Sequence, residues 1–208
     1  MQKLAVFDFD STLMDGETID FFAKELGLEE QVANITHQAM NGELDFFESL
    51  ITRVKLLEGL EYKKVLKIAK ELPLMPGAFE TIKKLQEMGY KTICFSGGFR
   101  VATEPAKEKL GLDGDFANIL HQKDGKLTGL VGGEMMFDTS KGDLIQRVQR
   151  LLGATRENTL VVGDGANDRS MFAYADTRVA FCAKDILKKE ANIIVDTKDL
   201  TKIFDHLQ

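Results

Sequence analysis

The 208 residues are 44% hydrophobic and 29% charged, an ordinary globular balance, and no apolar run is long enough to cross a bilayer. With 27 Lys and Arg against 33 Asp and Glu the net charge is −6, which argues against nucleic acid or an anionic membrane as partner through a broad basic face. One Lys and a four-residue apolar run precede Asp8, well short of a secretory signal, so the chain reads as cytoplasmic, a monomer or homodimer.

The run at 4–7 is apolar without alternation, as suits a parallel strand covered on both faces. From 15 to 76 no strand-like run occurs. Ile19, Phe22 and Leu26, then 32–40, 46–57 and 65–72, have helical spacing, and Pro73 and Pro76-Gly77 close the stretch. It reads as a helical cap domain, 15–76, inserted into a core made of 1–14 and 77–208. Phe79, Ile82, Leu85 and Met88 share a helix face stopped by Gly89, and 92–95 is the next strand. Gly111 marks a second helix stop. Asp124-Gly125 is a hairpin signal within an insertion at about 117–137. Lys141-Gly142 opens a helix with Leu144, Ile145, Val148 and Leu152 on one face, stopped by Gly153. The runs at 160–162, 179–182 and 193–195 are further strands. Strand and helix alternate, so the fold class is α/β: a doubly wound, mostly parallel core with a helical cap insertion and a small β-hairpin insertion. Cys94 and Cys182 each lie in an apolar run and read as small buried side chains.

In open α/β sheets ligands bind beyond the carboxyl ends of the strands. Three such ends carry Asp8-Phe9-Asp10-Ser11-Thr12, Ser96-Gly97-Gly98 and Gly163-Asp164-Gly165-Ala166-Asn167-Asp168. Asp8 and Asp10 point to the same side of an extended segment, and Asp164 joins them from a neighbouring strand. At about 4 Å and an effective dielectric near 20, each like-charge pair costs on the order of 4 kcal/mol. A cation must offset this. All-oxygen ligands select a hard ion, and Mg²⁺ keeps waters and leaves room for a phosphate. The Ser96 hydroxyl and the backbone N–H groups of Gly97 and Gly98 suit a phosphate, and Lys141 supplies positive charge. The set suits phosphoryl transfer. Asp8 is the nucleophile, Asp10 protonates the leaving oxygen and then activates water, and Lys141 stabilises the transferring group. Thr12 is an N-cap candidate that also lies within reach of the phosphate.

These residues resemble the haloacid dehalogenase (HAD) superfamily of phosphatases. The run from Asp8 to Leu13 is similar to its first motif, Ser96 to the second, Lys141 to the third and Gly163-Asp164-Gly165-Ala166-Asn167-Asp168 to the fourth. The resemblance implies a Rossmann-like core in which Asp8 is phosphorylated. It also implies Mg²⁺ held by Asp8, the backbone carbonyl of Asp10 and Asp164, with Asn167 and Asp168 supporting the metal shell and Lys141. Within the superfamily the chain resembles the phosphoserine phosphatases. Asp15-Gly16-Glu17-Thr18-Ile19-Asp20 is similar to the segment whose Glu contacts the substrate amino group. Phe46, Ser49, Leu50 and Arg53-Val54 are similar to the stretch whose Arg takes the substrate carboxylate. By that resemblance Phe46 and Met40 line the pocket, and the activity is hydrolysis of O-phosphoserine in serine biosynthesis. The chemistry agrees, since Glu17 can pair with an ammonium and Arg53 offers a bidentate fork for a carboxylate. Another small amino-acid or metabolite phosphate, such as phosphohomoserine, is the alternative. A receiver-type signalling module is disfavoured by the length of the helical stretch.

Overall fold

The computed structural model describes residues 1–41 and 43–207. Strand β1 (Lys3–Phe7) is buried from Leu4 onward and alternates between two cores. Ala5 and Phe7 join one cluster with Ile82, Leu85 and Leu160; Leu4 and Val6 join the other with Phe95, Leu144 and Val148. A run with no polar alternation is therefore the signature of a strand covered on both faces. Each such large side chain contributes about 1.5–3 kcal/mol on burial.

The remaining strands are β2 (Tyr90–Phe99), β3 (Gly114–Lys123), β4 (Lys126–Gly132), β5 (Thr159–Gly163), β6 (Thr177–Phe181) and β7 (Ile193–Val195). They form one sheet in the order β4-β3-β2-β1-β5-β6-β7, parallel except for the β3–β4 pair. This is the doubly wound, mostly parallel α/β fold read from the sequence. The chain builds outward from β1 through β2 and β3, then returns to place β5 on the other side of β1. That reversal opens a crevice at the carboxyl ends of β1 and β5, where such sheets hold ligands.

Four helices follow β1: α1 (Thr18–Lys24), α2 (Glu29–Met40), α3 (Phe46–Lys55) and α4 (Tyr62–Glu71). They share a third cluster of Ile19, Phe22, Val32, Leu50, Val54 and Val65, which also takes in Phe99 and Leu127. The start of α3 is capped by the Asp45 carboxylate, which accepts from Glu48 N at 2.9 Å. Its buried face is Ser49, Leu50, Arg53 and Val54, so helical periodicity carries a cation inward. Helices α5 (Ala78–Glu87), α6 (Arg100–Leu110), α7 (Ser140–Leu152), α8 (Arg169–Phe172) and α9 (Asp185–Lys188) complete the chain. No helix among the described residues is long and apolar enough to cross a membrane.

Three details differ from the sequence reading. Strand β2 does not stop at 95; it runs on through Ser96, Gly97 and Gly98 with a register shift against β3 between Phe95 and Phe99. Phe79 is 51% exposed, because the buried arc of α5 is centred on Ala78, Ile82 and Leu85, about 100° away. Cys182 is exposed, not buried: it follows β6 at φ 45°, a left-handed turn that points its thiol outward. Beyond Asn118, β3 runs past β2 and pairs only with β4, across a turn at Asp124 (φ 53°) and Gly125 (φ 75°), the two-residue geometry expected of Asp-Gly. The hairpin is bonded to the α3–α4 link, with Gly59 N donating to Leu127 O (2.9 Å), Leu127 N to Leu60 O (2.8 Å) and Tyr62 N to Gly125 O (2.8 Å).

Candidate active site

Asp8 extends β1 by one residue, its N–H donating to Val162 O at 2.9 Å. Its Oδ1 accepts from Phe9 N and from Lys141 Nζ, both at 2.7 Å. Lys141, in the first turn of α7, also donates to Asp168 Oδ1 at 2.5 Å. Asp168 Oδ2 accepts from Asp164 N (2.9 Å) and Gly165 N (3.1 Å), folding the loop after β5 into a tight turn. Gly163 is required there, because a Cβ would overlap the Asp168 carboxylate. Asp8, Lys141, Asp164 and Asp168 are all buried.

Burial shifts these groups strongly. It pushes the Asp8 carboxyl up to about 7, with repulsion from Asp168 adding to it. Asp164 is held well above the carboxylate range by burial and then by the Asp8 charge. Burial works to lower Lys141, but Asp168 and Asp8 outweigh it and hold the ammonium above its ordinary value. Carboxylate oxygens of Asp8, Asp164 and Asp168 lie within 4.8 Å of one another. Asp164 Oδ1 is buried without a hydrogen-bond partner. An orphaned carboxylate oxygen beside a second carboxylate, in an all-oxygen donor set, fits a hard divalent cation. Asp168 is less suited as a ligand than Asp8 and Asp164, since its two oxygens already accept three hydrogen bonds.

Asp10 lines the crevice together with Asp8. Its Oδ1 accepts from Thr18 N (2.7 Å) and Thr18 Oγ1 (2.5 Å), which holds the carboxylate at the N-terminus of α1, while Oδ2 lies beside Gly98. Unpaired N–H groups and the helix dipole favour a carboxylate there. Burial nevertheless raises the Asp10 carboxyl. Glu17, just before α1, accepts from Ser11 Oγ at 2.7 Å and is raised well above its ordinary value, by burial and then by Asp10. Arg53 donates from Nε to Ser49 O (3.2 Å) and from Nη1 to Thr36 Oγ1 (3.0 Å). Burial lowers its pKa, with Glu17 opposing.

Asp8, Asp10, Glu17, Phe46, Arg53, Gly97, Gly98 and Asn167 all line one cavity of about 30 Å³. Lys141 borders a small void beside it, with Phe46, Gly97 and Asn167. Both glycines are sites of close approach. A Cβ on Gly97 would sit 2.6 Å from Phe46 Cζ, and one on Gly98 would sit 2.7 Å from Asp10 Oδ2. Ser96 is fully buried, and its Oγ accepts from Gly98 N at 2.9 Å. That N–H is thus engaged, where the sequence reading left it open for a phosphate. Thr12 is buried with its hydroxyl unpartnered and does not line the cavity. Asn167 Oδ1 is likewise buried and unpartnered. Met40 ends α2, and its side chain lies outside the described residues.

Residues 2–176 match the haloacid dehalogenase-like hydrolases. The chain belongs to this family. A phosphoserine phosphatase of Wolinella succinogenes is 60% identical over 205 residues, 99% of this chain and 100% of its own length. One from Methanocaldococcus jannaschii is 49% identical over 207 residues, covering 100% of this chain and 98% of its own. A structure described as a substrate-bound phosphoserine phosphatase complex matches with a TM-score of 0.97 and 48% identity, covering 100% of this chain and 99% of its own.

The geometry of this HAD hydrolase includes residues that the sequence reading did not single out. Thr18 fixes Asp10, Ser11 fixes Glu17 and Thr36 fixes Arg53. Asn118 is fully buried in β3; its amide donates to Gly97 O and Met135 O, and its Oδ1 accepts from Met135 N, all at 3.0 Å. It ties the glycine pair to the segment leading into α7. The only sequence signal was an amide within a partly apolar strand.

Proposed function

We propose that the chain hydrolyses O-phosphoserine to serine and inorganic phosphate through a phosphoryl group carried on Asp8. The observation that supports this most directly is the pairing of Glu17 and Arg53 in one cavity with Asp8. A carboxylate and a guanidinium opposite a nucleophile match the ammonium, carboxylate and phosphate of phosphoserine. The phosphoserine phosphatases that resemble the chain over nearly its whole length support the same reading.

Both hydrogen bonds to Asp8 fall on Oδ1, which leaves Oδ2 to attack phosphorus. The Oδ2–P bond forms as the P–O bond to serine breaks, and Asp10 delivers the proton to the serine oxygen. Asp10 then takes a proton from water as its oxygen attacks phosphorus, and the Oδ2–P bond breaks to release phosphate and regenerate Asp8. Lys141 stays charged throughout and offsets charge on the phosphoryl oxygens. Gly97 and Gly98 line the same cavity, and the buried Ser96 hydroxyl holds the Gly98 N–H. The carboxylates of Asp8 and Asp164, with the backbone carbonyl of Asp10, would hold Mg²⁺. That ion supplies charge neutralisation for the carboxylates and the phosphoryl group. Helices α1–α4 act as a cap that excludes water until the ester is aligned.

The test is phosphate release from phosphoserine, phosphothreonine, phosphocholine and p-nitrophenyl phosphate, with and without Mg²⁺, for wild type and Arg53→Ala. The variant should lose on the order of 100-fold in kcat/KM for phosphoserine, as for a buried charge-assisted pair, and far less for the aryl phosphate. Equal losses on both substrates would remove carboxylate recognition from Arg53.

A further inference from the structure

We propose that Phe47 and Phe137 are positioning residues for this reaction: their stacked rings clasp the start of α3 to the segment before α7 and so hold Phe46 and Arg53 in place. The inference rests on the phosphoserine reading above. The two rings lie 5.1 Å apart at 13° between planes. Phe47 is 36% and Phe137 56% exposed, so the stack stands at the surface and joins two parts of the chain that are distant in sequence.

Phe46 and Phe47 are the first two residues of α3. Consecutive helical residues point about 100° apart. Phe46 therefore faces inward, against Gly97, while Phe47 turns outward onto Phe137. Phe137 is anchored to the core: its N–H donates to Ser140 Oγ and its carbonyl accepts from Ser140 N, both at 3.1 Å. Phe137 also borders the small void shared by Phe46, Gly97, Lys141 and Asn167, so the clasp closes directly over the phosphoryl-transfer residues. Arg53 lies seven residues after Phe46, two turns along the same helix face. Displacing the start of α3 therefore moves both.

The far end of α3 is held separately, by the backbone bonds between the α3–α4 link and the hairpin. The residues leading into α3, Glu43 to Asp45, are exposed. The start of α3 is held on its inner side by Phe46 against Gly97 and on its outer side by the stack, which ties it to the segment before α7. Phe46 and Arg53 of α3 line the cavity with Asp8, so the position of this helix sets the space open to substrate. The clasp biases the closed form in which Arg53 meets the substrate.

The experiment measures kcat and KM for phosphoserine and for p-nitrophenyl phosphate in wild type, Phe47→Ala, Phe137→Ala, the double variant and Phe137→Tyr, with thermal melts to establish folding. An aromatic stack of this kind predicts a rise in KM for phosphoserine of about 2–10-fold in each single variant. The double variant should be no worse than either single one, Phe137→Tyr should restore wild-type values, and KM for the aryl phosphate should move less. Additive losses in the double variant, or equal shifts on both substrates, would overturn the clasp while leaving the phosphoserine reading intact. So would a dimer in sedimentation that disappears in Phe47→Ala, since the rings would then serve an interface. Wild type that turns over the aryl phosphate but not phosphoserine would overturn the functional reading and the clasp together.

Discussion

At the scale of single residues, the site is a set of side chains each held by one specific neighbour. Asp10 shows the consequence. Both of its contacts come from Thr18, and a hydrogen bond to a charged group is worth about 1.5–3 kcal/mol. Thr18→Val removes the hydroxyl donor while keeping the backbone N–H and the side-chain shape. The carboxylate is then less firmly aimed, and kcat should fall about 10-fold or more with little change in KM. Steady-state kinetics on phosphoserine measure this, and an unchanged kcat would mean that the backbone bond alone positions Asp10. Asp8→Asn, by contrast, should eliminate turnover and acid-stable labelling alike, because an amide offers no nucleophilic oxygen for phosphorus. The acids themselves were legible in the sequence, because three adjacent strand ends carry carboxylates, a hydroxyl and glycines together, where one Asp-x-Asp alone is common by chance. Their partners were not. Thr18, Ser11 and Thr36 are hydroxyl residues of the kind that cap or face solvent in any helix, and only the fold shows which carboxylate or guanidinium each one meets.

At the scale of elements, short contacts between neighbouring strands set where the functional loops emerge. Asp113 precedes β3 and fastens it to β2. Its Oδ2 accepts from Thr92 N (2.9 Å) and its Oδ1 from Lys91 Nζ (2.6 Å). Burial tends to raise this carboxyl, but the bonds from Lys91 and Thr92 prevail and hold it below the ordinary value. A carboxyl depressed in the folded state stabilises the fold above its unfolded pKa, about 3.9, and loses that contribution as pH falls through the folded value. Asp113→Asn should therefore lower the urea midpoint near pH 7, and the difference from wild type should shrink as pH is taken down through about 4. A gap that stays constant with pH would assign the effect to geometry instead of charge. The same junction explains what the sequence hid about β2. Runs such as the one in β1 are recognisable because both faces are covered and every residue is apolar. Ser96, Gly97 and Gly98 have low strand propensity, and they remain in β2 because Phe95 and Phe99 on either side pair with Phe116 and Asn118 of β3, and the Asn118 amide takes up Gly97 O. Pairing of that kind is fixed by the neighbouring strand and leaves no mark in the local sequence.

For the whole molecule, the decisive quantity is the balance of charge inside the crevice. Asp8, Asp10, Glu17, Asp164 and Asp168 converge there against Lys141 and Arg53. Burial raises the pKa of Asp8 and Asp164, the expected response of carboxylates that lack enough positive charge. A divalent cation that binds only the folded chain should relieve this. At about 100 times its Kd it adds about 2.7 kcal/mol, or a rise in Tm of about 5–10 °C for a chain of this size. Differential scanning calorimetry with Mg²⁺ and then with excess chelator reads the effect. Asp164→Asn separates it from nonspecific ion binding. The variant should lose the Mg²⁺-dependent rise, yet melt above the metal-free wild type, because one of the mutually repelling charges has gone. If instead Asp164→Asn melts below the metal-free wild type, the carboxylate is contributing to the fold itself, and the strain attributed to the crevice is not there.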